Sequence, residues 1–275
     1  MSKSDYRIRS KKKPHKEALN KPSKPCNYKG TDYGFPASLT GSNVRVALID
    51  TGNPSHSDIN SVVNSVDMLY TSDGVVDTHG HATMVAGVLA ANNPKTVCGI
   101  SPNVKLFCPK VVNGSGECSY DAIVSGILWS IVQDVHVILI SLGSKHDFNL
   151  LHDAITKAYD NNICVFAAAG NNSDSNDYPA DYPEVLSVGR RVGKAKSKPF
   201  GAYQNSEIQV VVPDDEVYTT FLNDMYIKAS GSSLTAAMIA GLASLLIERY
   251  ISNGEVLSPN SIYSELANIS YKPIK

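Results

Sequence analysis

Three residues that lie far apart in the chain, Asp50, His81 and Ser233, have the side chains that nucleophilic catalysis requires. A serine hydroxyl attacks a carbonyl carbon when a neighbouring imidazole takes its proton, and a carboxylate holds that imidazole in the correct tautomer. Asp50 ends an apolar run typical of a strand, whereas His81 and Ser233 each begin an apolar run typical of a helix. The sequence therefore predicts an acyl-transfer triad built from the ends of three elements.

The elements that must position these residues alternate along the chain. Apolar runs predict strands over 44–50, 104–112, 135–141 and 163–168, and helices over 81–91, 119–133, 149–161, 233–250 and 259–269. This alternation predicts an α/β fold with a doubly wound, mainly parallel sheet between helices, in three layers. Pro109 lies inside one predicted strand, which predicts an edge position or a bulge. Sites in such sheets lie at the carboxyl ends of the strands, where the triad is expected.

Six segments occur in the order of a known family: residues 47–52, 80–87, 99–102, 141–143, 167–171 and 231–237. With them the chain resembles the subtilisin-like serine proteases (subtilases) from about residue 41 to residue 250, and the order Asp, His, Ser is that of subtilisin. Two departures are Ala82 after the histidine and Leu234 after the serine, and neither replaces a proton-transfer group. The layout is closest to intracellular subtilisins without a large prodomain.

The resemblance implies a serine endopeptidase and gives each site residue a role. Ser233 would be the nucleophile, His81 the general base and then acid, and Asp50 the orienting carboxylate. The side-chain amide of Asn171 would stabilise the oxyanion, and Ser141, Leu142 and Gly143 would bind an extended peptide as an added strand. Rivals for the roles of His81 and Ser233 lie close by in sequence, at His79, Ser230 and Ser232.

Calcium is the one metal that the resemblance raises. Asp58 resembles a residue that ligates structural calcium in many subtilases. The companion loop, residues 92–97, contains no acidic residue but contains Pro94 and Lys95. Because calcium takes six or more oxygen ligands, a turn- or helix-capping role for Asp58 is favoured over a metal site. The chemistry is expected to need no cofactor.

The charge of the chain is unevenly distributed. Residues 1–25 carry nine Lys or Arg against two Asp or Glu, so this stretch has a net charge of +7 and leaves −8 for the rest of a chain of net charge −1. With three prolines and few apolar residues, it is predicted to be disordered. We therefore divide the chain into a basic N-terminal arm, residues 1–40, and a catalytic domain, residues 41–275. The arm is interpreted as a solvated tail, or alternatively as a segment that binds its own catalytic domain.

Location and partners follow from composition. No apolar segment follows the N-terminal charges, as a secretory signal would require, and the longest apolar stretch, residues 123–142, contains Gln133, Asp134 and His136. A cytoplasmic protein without a membrane partner is expected, with five reduced cysteines and a peptide or unfolded protein as substrate. Nucleic acid is not the expected partner. Two alternatives are an inactive subtilase-fold binding module and a binder of anionic partners through the arm.

Overall fold

A seven-stranded sheet forms the central layer of the molecule, and each neighbouring pair of its strands is parallel. The computed structural model describes residues 6–7, 18–23, 25–170, 177–191, 209–213 and 216–269. The strands within these ranges are β1 Tyr6–Arg7, β2 Cys26–Asn27, β3 Arg45–Ile49, β4 Val62–Asp67, β5 Val97–Cys98, β6 Lys105–Lys110, β7 Glu117–Cys118, β8 Val137–Ile140, β9 Cys164–Ala168, β10 Val185–Arg191, β11 Gln209–Pro213, β12 Val217–Phe221 and β13 Met225–Ala229. The order in the large sheet is β11-β10-β9-β8-β3-β6-β4.

Helices cover both faces of this sheet. They are α1 His81–Ala90, α2 Tyr120–Val132, α3 Asn149–Asp160, α4 Ser232–Asn253 and α5 Pro259–Ala267, with a short 3-10 helix at Gly30–Tyr33. Side chains of a strand alternate between the two faces of a sheet. Val46 and Leu48 of β3 accordingly pack in one core with α1, α4 and α5, whereas Ala47 and Ile49 pack in the other with α2 and α3. The predicted three-layer α/β fold is confirmed.

Local sequence signals account for where the helices begin. Ser119 caps α2, because its side chain accepts a hydrogen bond of 3.2 Å from the backbone N–H of Ala122. Pro259 occupies the first turn of α5 after Ser258, although the Ser258 side chain makes no capping hydrogen bond. Helix α4 is long and apolar enough to span a membrane by composition alone, but 78% of its most apolar window is buried inside the protein. It is the central helix of one core.

The expectation for Pro109 needs correction. Strand β6, which carries Pro109, is an interior strand between β3 and β4, and the irregular register lies in β4 between Val62 and Asn64. The expectation failed because half of the β4 residues are polar and no strand was predicted there, so the pairing of β4 with β6 could not be foreseen. Pro109 is accommodated near the end of β6, where its carbonyl oxygen accepts from the Asp50 N–H at 3.3 Å.

Part of the predicted N-terminal arm packs on the body of the protein. Leu19 exchanges two backbone hydrogen bonds of 2.7 Å with Tyr226 of β13. Tyr28, Tyr33 and Phe35 are buried in the same core as α1 and α4. The composition that predicted disorder is confined to residues 1–25, and the aromatic side chains that follow bury enough apolar surface to fix this segment on the body of the protein. The prediction of disorder for residues 1–5, 8–17 and 24 lies outside the described residues.

Candidate active site

His81 and Asp50 form a direct, buried pair at the carboxyl edge of the sheet. Asp50 follows the last residue of β3, and His81 is the first residue of α1. The His81 Nδ1 atom lies 2.7 Å from Asp50 Oδ1 and 2.9 Å from Oδ2. The carboxylate has no exposed surface and also accepts the backbone N–H of Thr51 at 2.7 Å. An Nδ1–H donated to a carboxylate leaves Nε2 as the nitrogen that can accept a proton.

The surroundings of His81 favour its protonated form. Burial lowers the pKa of the imidazole, but the charge of Asp50, the hydrogen bond to Asp50 and the charge of Asp77 together raise the pKa of His81 above its ordinary value. A histidine with a raised pKa is a stronger base once it is neutral. The arrangement thus suits a group that accepts a proton and holds the resulting positive charge beside two carboxylates.

Ser233 lies at the start of α4, the helix that runs through the core behind the sheet. The helix begins at Ser232, one residue earlier than predicted. The Ser233 hydroxyl donates to the carbonyl oxygen of Ser141 at 3.4 Å, and no hydrogen bond joins it to His81 among the residues that the structure describes. Catalytic hydrogen bonds are often long or misaligned before substrate binds. The serine is therefore placed beside the segment predicted to bind substrate.

A network around Asp77 holds the first turn of α1. Asp77 is buried, and its carboxylate accepts the backbone N–H groups of His79, Gly80 and Thr83 at 3.1, 2.7 and 2.9 Å. It also accepts the hydroxyl of Thr51 at 2.8 Å, and that hydroxyl in turn accepts the Ala82 N–H at 2.9 Å. The turn after Asp50 and the turn before His81 are thereby tied to one carboxylate. Negative charge at a helix N-terminus is itself stabilising.

Gly80, the residue before His81, has a backbone conformation that suits only glycine. Its φ is +92°, in the left-handed region, and a Cβ there would lie 2.5 Å from the ring of Phe221. Any other residue would have to displace the side chain of Phe221 and would also be strained at this φ. The sharp turn into α1 therefore depends on this glycine.

Lys110 is a buried charge next to the site. Its ammonium group, at the end of β6, donates to Asp73 Oδ2 at 2.8 Å and to the carbonyl oxygens of Gly74 and Val76 at 3.0 and 2.9 Å. The hydrogen bond from Lys110 is the main cause of a lowered pKa of Asp73. The lysine thus fastens the loop that leads to Asp77, and its three acceptors satisfy a charge that would otherwise be costly to bury.

The remaining predicted site residues divide between described and undescribed parts of the chain. Ser141, Leu142 and Gly143 follow β8, which is the neighbour of β3 in the sheet, so they lie at the same edge as Asp50. Gly170 follows β9 on the far side of β8. Asn171 lies outside the described residues.

Asp58 was the candidate calcium ligand, and its partners do not fit a metal. Its carboxylate accepts the Asn93 side-chain amide at 2.8 Å, the Thr96 hydroxyl at 2.6 Å and the Tyr226 hydroxyl at 2.7 Å. The amide orientation is fixed, because Asn93 Oδ1 accepts the N–H of Lys95 at 3.1 Å. Within the described ranges, no group of three or more His, Cys, Asp or Glu is placed to hold a metal. The Asp58 carboxylate is surrounded by N–H and O–H donors, whereas a calcium ion at this position would need further oxygen atoms that act as ligands.

Asp77 and Lys110 were missed from the sequence, although both left a signal. Lys110 follows four uncharged residues of β6 and precedes two valines, and a buried charge usually has a structural or functional partner. Asp77 stands four residues before His81, where an acidic residue can accept the unpaired N–H groups of a helix. Neither signal predicts the hydrogen-bond partner. Asp77 bonds to Thr51 in the turn after β3, and Lys110 bonds to Asp73, which lies 37 residues earlier in the sequence.

Comparisons with known proteins agree with this geometry. A family model described as the Subtilase family matches residues 41–270. Subtilisin DY from Bacillus licheniformis is 38% identical over 217 residues, which cover 76% of this chain and 78% of that protein. The major intracellular serine protease of Bacillus subtilis (strain 168) is 33% identical over 241 residues, covering 80% of this chain and 75% of the relative.

A third similar protein is longer than this chain. The minor extracellular protease Epr of Bacillus subtilis (strain 168) is 32% identical over 218 residues, which are 78% of this chain and 34% of that protein. The similarity is thus to one part of it.

Proposed function

Because the chain belongs to the subtilase family of serine endopeptidases, we propose that Asp50, His81 and Ser233 are its catalytic triad. The observation that carries this proposal is the buried hydrogen bond from His81 Nδ1 to Asp50, at the sheet edge where Ser233 contacts the carbonyl of Ser141. The family implies peptide or protein substrates. The comparisons give no support to a non-catalytic binding module.

The proposed reaction proceeds through a covalent acyl-enzyme. Ser233 Oγ attacks the carbonyl carbon of the scissile bond while His81 Nε2 takes its proton. The tetrahedral intermediate collapses when His81 returns that proton to the leaving amine, and the C–N bond breaks. Water then attacks the ester carbonyl, losing a proton to His81, and release of the acid restores the Ser233 hydroxyl. Asp50 holds the imidazole throughout and balances its transient positive charge.

The oxyanion and substrate roles complete the proposal. The side-chain amide of Asn171 and the backbone N–H of Ser233 would donate to the oxyanion, a contribution of about 3 kcal/mol for one such donor. The start of α4 adds its positive dipole end. Ser141, Leu142 and Gly143 would pair with the substrate backbone, which requires a peptide or an unfolded segment that can lie extended.

Hydrolysis of an unfolded protein or a fluorogenic peptide tests the triad. Ser233→Ala is expected to lower kcat by roughly 10⁶-fold, and adding His81→Ala should cost little more, because the residues act as a unit. Ser230→Ala is the matched control, since Ser230 is an exposed serine three residues upstream, and it should retain wild-type activity. A Ser233→Ala variant within tenfold of wild type would refute the assignment.

The basic N-terminal stretch contacts the body of the protein beside this site. β1 pairs with β7 in antiparallel register, with Tyr6 opposite Cys118. β7 lies close to Asp50, because Cys118 is bridged to Val112 and Asp50 is bridged to Lys110, two residues before Val112. A Cβ on Gly116 would lie 3.6 Å from His79 Nε2. These contacts support a role in which the stretch binds its own catalytic domain and restricts access to the site.

The proposal also includes a cytoplasmic location and a site that works without calcium. The similarity to an intracellular serine protease supports the location, which cell fractionation with an antibody to the protein would test. The donors around Asp58 support the absence of a calcium requirement at that position.

A further inference from the structure

Asp177 is fixed directly behind the segment proposed to bind substrate. Tyr178, its neighbour in the chain, exchanges two backbone hydrogen bonds with Ser144, of 3.0 and 2.7 Å. This bridge ties the Asp177 segment to the end of the Ser141–Gly143 stretch. The residue is 5% exposed, so its carboxyl group is held inside the protein and not in solvent.

Two glycines make room for the Asp177 side chain, which packs directly against both. A Cβ on Gly143 would lie 2.6 Å from Asp177 Cβ and 3.1 Å from Oδ2. A Cβ on Gly170 would lie 3.0 Å from the same Oδ2. The carboxylate therefore sits between the chain that leaves β8 and the chain that leaves β9, at the edge of the sheet that carries Asp50. A side chain on either glycine would collide with Asp177 itself, so the two glycines make the position of this carboxylate possible.

The Asp177 carboxylate is only partly satisfied. Lys145 Nζ lies 2.9 Å from Oδ1, which makes an ion pair by distance. The approach does not have the geometry of a hydrogen bond, and Oδ1 accepts none from the described part of the chain. The Lys145 side chain is 35% exposed, so its ammonium group can exchange this contact for water. A buried acceptor without a donor favours a ligand that brings one.

The position of Ser233 indicates which substrate residue would reach Asp177. Its hydroxyl lies 3.4 Å from the Ser141 carbonyl oxygen, so the attacked residue must lie against the Ser141–Gly143 stretch. The side chain of that residue would run past Gly143 toward Asp177, which packs against Gly143 and Gly170. Its far end would meet a carboxylate. A long cationic side chain offers an apolar stem, N–H donors and a positive charge that complements the carboxylate.

We propose that Asp177 selects Arg or Lys as the substrate residue on the acyl side of the scissile bond. This inference rests on the proposed function and narrows its substrate class to peptides with a basic residue at that position. Lys145 acts as the resting counter-ion of Asp177 and is displaced when the substrate cation enters. An apolar or acidic side chain brings no donor to Asp177 and leaves Lys145 in place, so the site favours a basic side chain over it.

A set of fluorogenic peptides that differ only in that residue tests the inference. The full chain should cleave the Arg and Lys peptides with kcat/KM at least about tenfold above those for Leu and Phe, with Glu the poorest. Asp177→Asn should lower the ratio of Arg to Leu cleavage by about tenfold or more. Lys145→Met, which removes the competing cation, should raise the same ratio.

The opposite results would overturn the inference. They are a wild-type preference for Leu or Phe, or an Asp177→Asn variant that loses activity on all peptides in the same proportion. The wild-type peptide set needs no variant, so it decides the question even if Asp177→Asn fails to fold. Suppose that the wild-type protein prefers the Leu peptide and that Ser233→Ala does not cleave it. The endopeptidase assignment would then stand, and only the selectivity inference would have failed.

Discussion

His81 lies between two carboxylates, and its protonation should control activity. The general base works only when it is neutral, and Asp50 and Asp77 raise its pKa against the effect of burial. We therefore expect kcat/KM to rise with pH through an apparent pKa above about 6.5, the ordinary value for histidine. Asp77→Asn removes one of the stabilising charges, so the acid limb of the profile should move to lower pH.

The pH profile separates this electrostatic effect from damage to the fold. A purely structural role of Asp77 would lower the plateau of kcat/KM without moving its inflection. Asp121→Asn, at an exposed position of α2, is the matched control and should leave the inflection in place. An Asp77→Asn profile with an unchanged or higher inflection would contradict the account.

At the scale of elements, a hydrogen-bonded cluster around Asp58 joins the 92–97 loop to β13. The phenol of Tyr226 donates to Asp58, and burial is the main cause that raises the pKa of Tyr226 to about 12. Tyr226→Phe leaves the packing of the ring but removes one donor to a buried carboxylate. The expected loss is about 1.5–3 kcal/mol of unfolding free energy. At roughly 2–4 °C per kcal/mol, calorimetry should detect it as a lower Tm.

Chelation gives the complementary measurement for the same cluster. Treatment of the wild-type protein with EDTA should leave Tm unchanged within the error of the measurement, because Asp58 is already satisfied by Asn93, Thr96 and Tyr226. A fall in Tm with EDTA that added calcium reverses would show that a metal stabilises the protein.

Elements with strong local signals could be predicted from the sequence, and those that depend on neighbours could not. Helix α2 begins where Ser119 predicts a cap, and β3, β8 and β9 are continuous apolar runs that need two covered faces. β4 is partly polar and half exposed, so it becomes a strand only because β6 pairs with it. The same holds for the candidate site. Sequence motifs predicted roles for Asp50 and His81, whereas nothing local predicts a role for Asp177, because it packs against Gly143, 34 positions earlier in the chain.

The charge distribution of the whole molecule predicts how the N-terminal stretch acts. A segment of net charge +7 joined to a remainder of −8 should be drawn onto it at low salt. The Debye length falls from about 30 Å at 0.01 M salt to about 3 Å at 1 M. The full chain should therefore be less active than a chain that starts at residue 18, and the difference should narrow as salt rises.

The starting residue matters for this comparison. A chain that starts near Asn27 would also lose the pairing of Leu19 with Tyr226, whereas a start at residue 18 retains it. A full-length variant with Lys11, Lys12, Lys13 and Lys16 changed to Gln is the control for charge. The activity of this variant should depend less on salt concentration than the activity of the wild-type protein. Equal activity of the full and shortened chains across the salt range would leave the stretch as a solvated tail.

The most direct test of the central claim is covalent labelling of the purified full chain with a fluorophosphonate probe, followed by mass spectrometry of the modified peptide. An activated serine reacts with such a probe, whereas ordinary serines do not. We expect one modification, at Ser233, which His81→Ala abolishes and Ser230→Ala leaves intact. No labelling of the folded protein, or labelling at a different serine, would contradict the assignment of Asp50, His81 and Ser233 as a working triad.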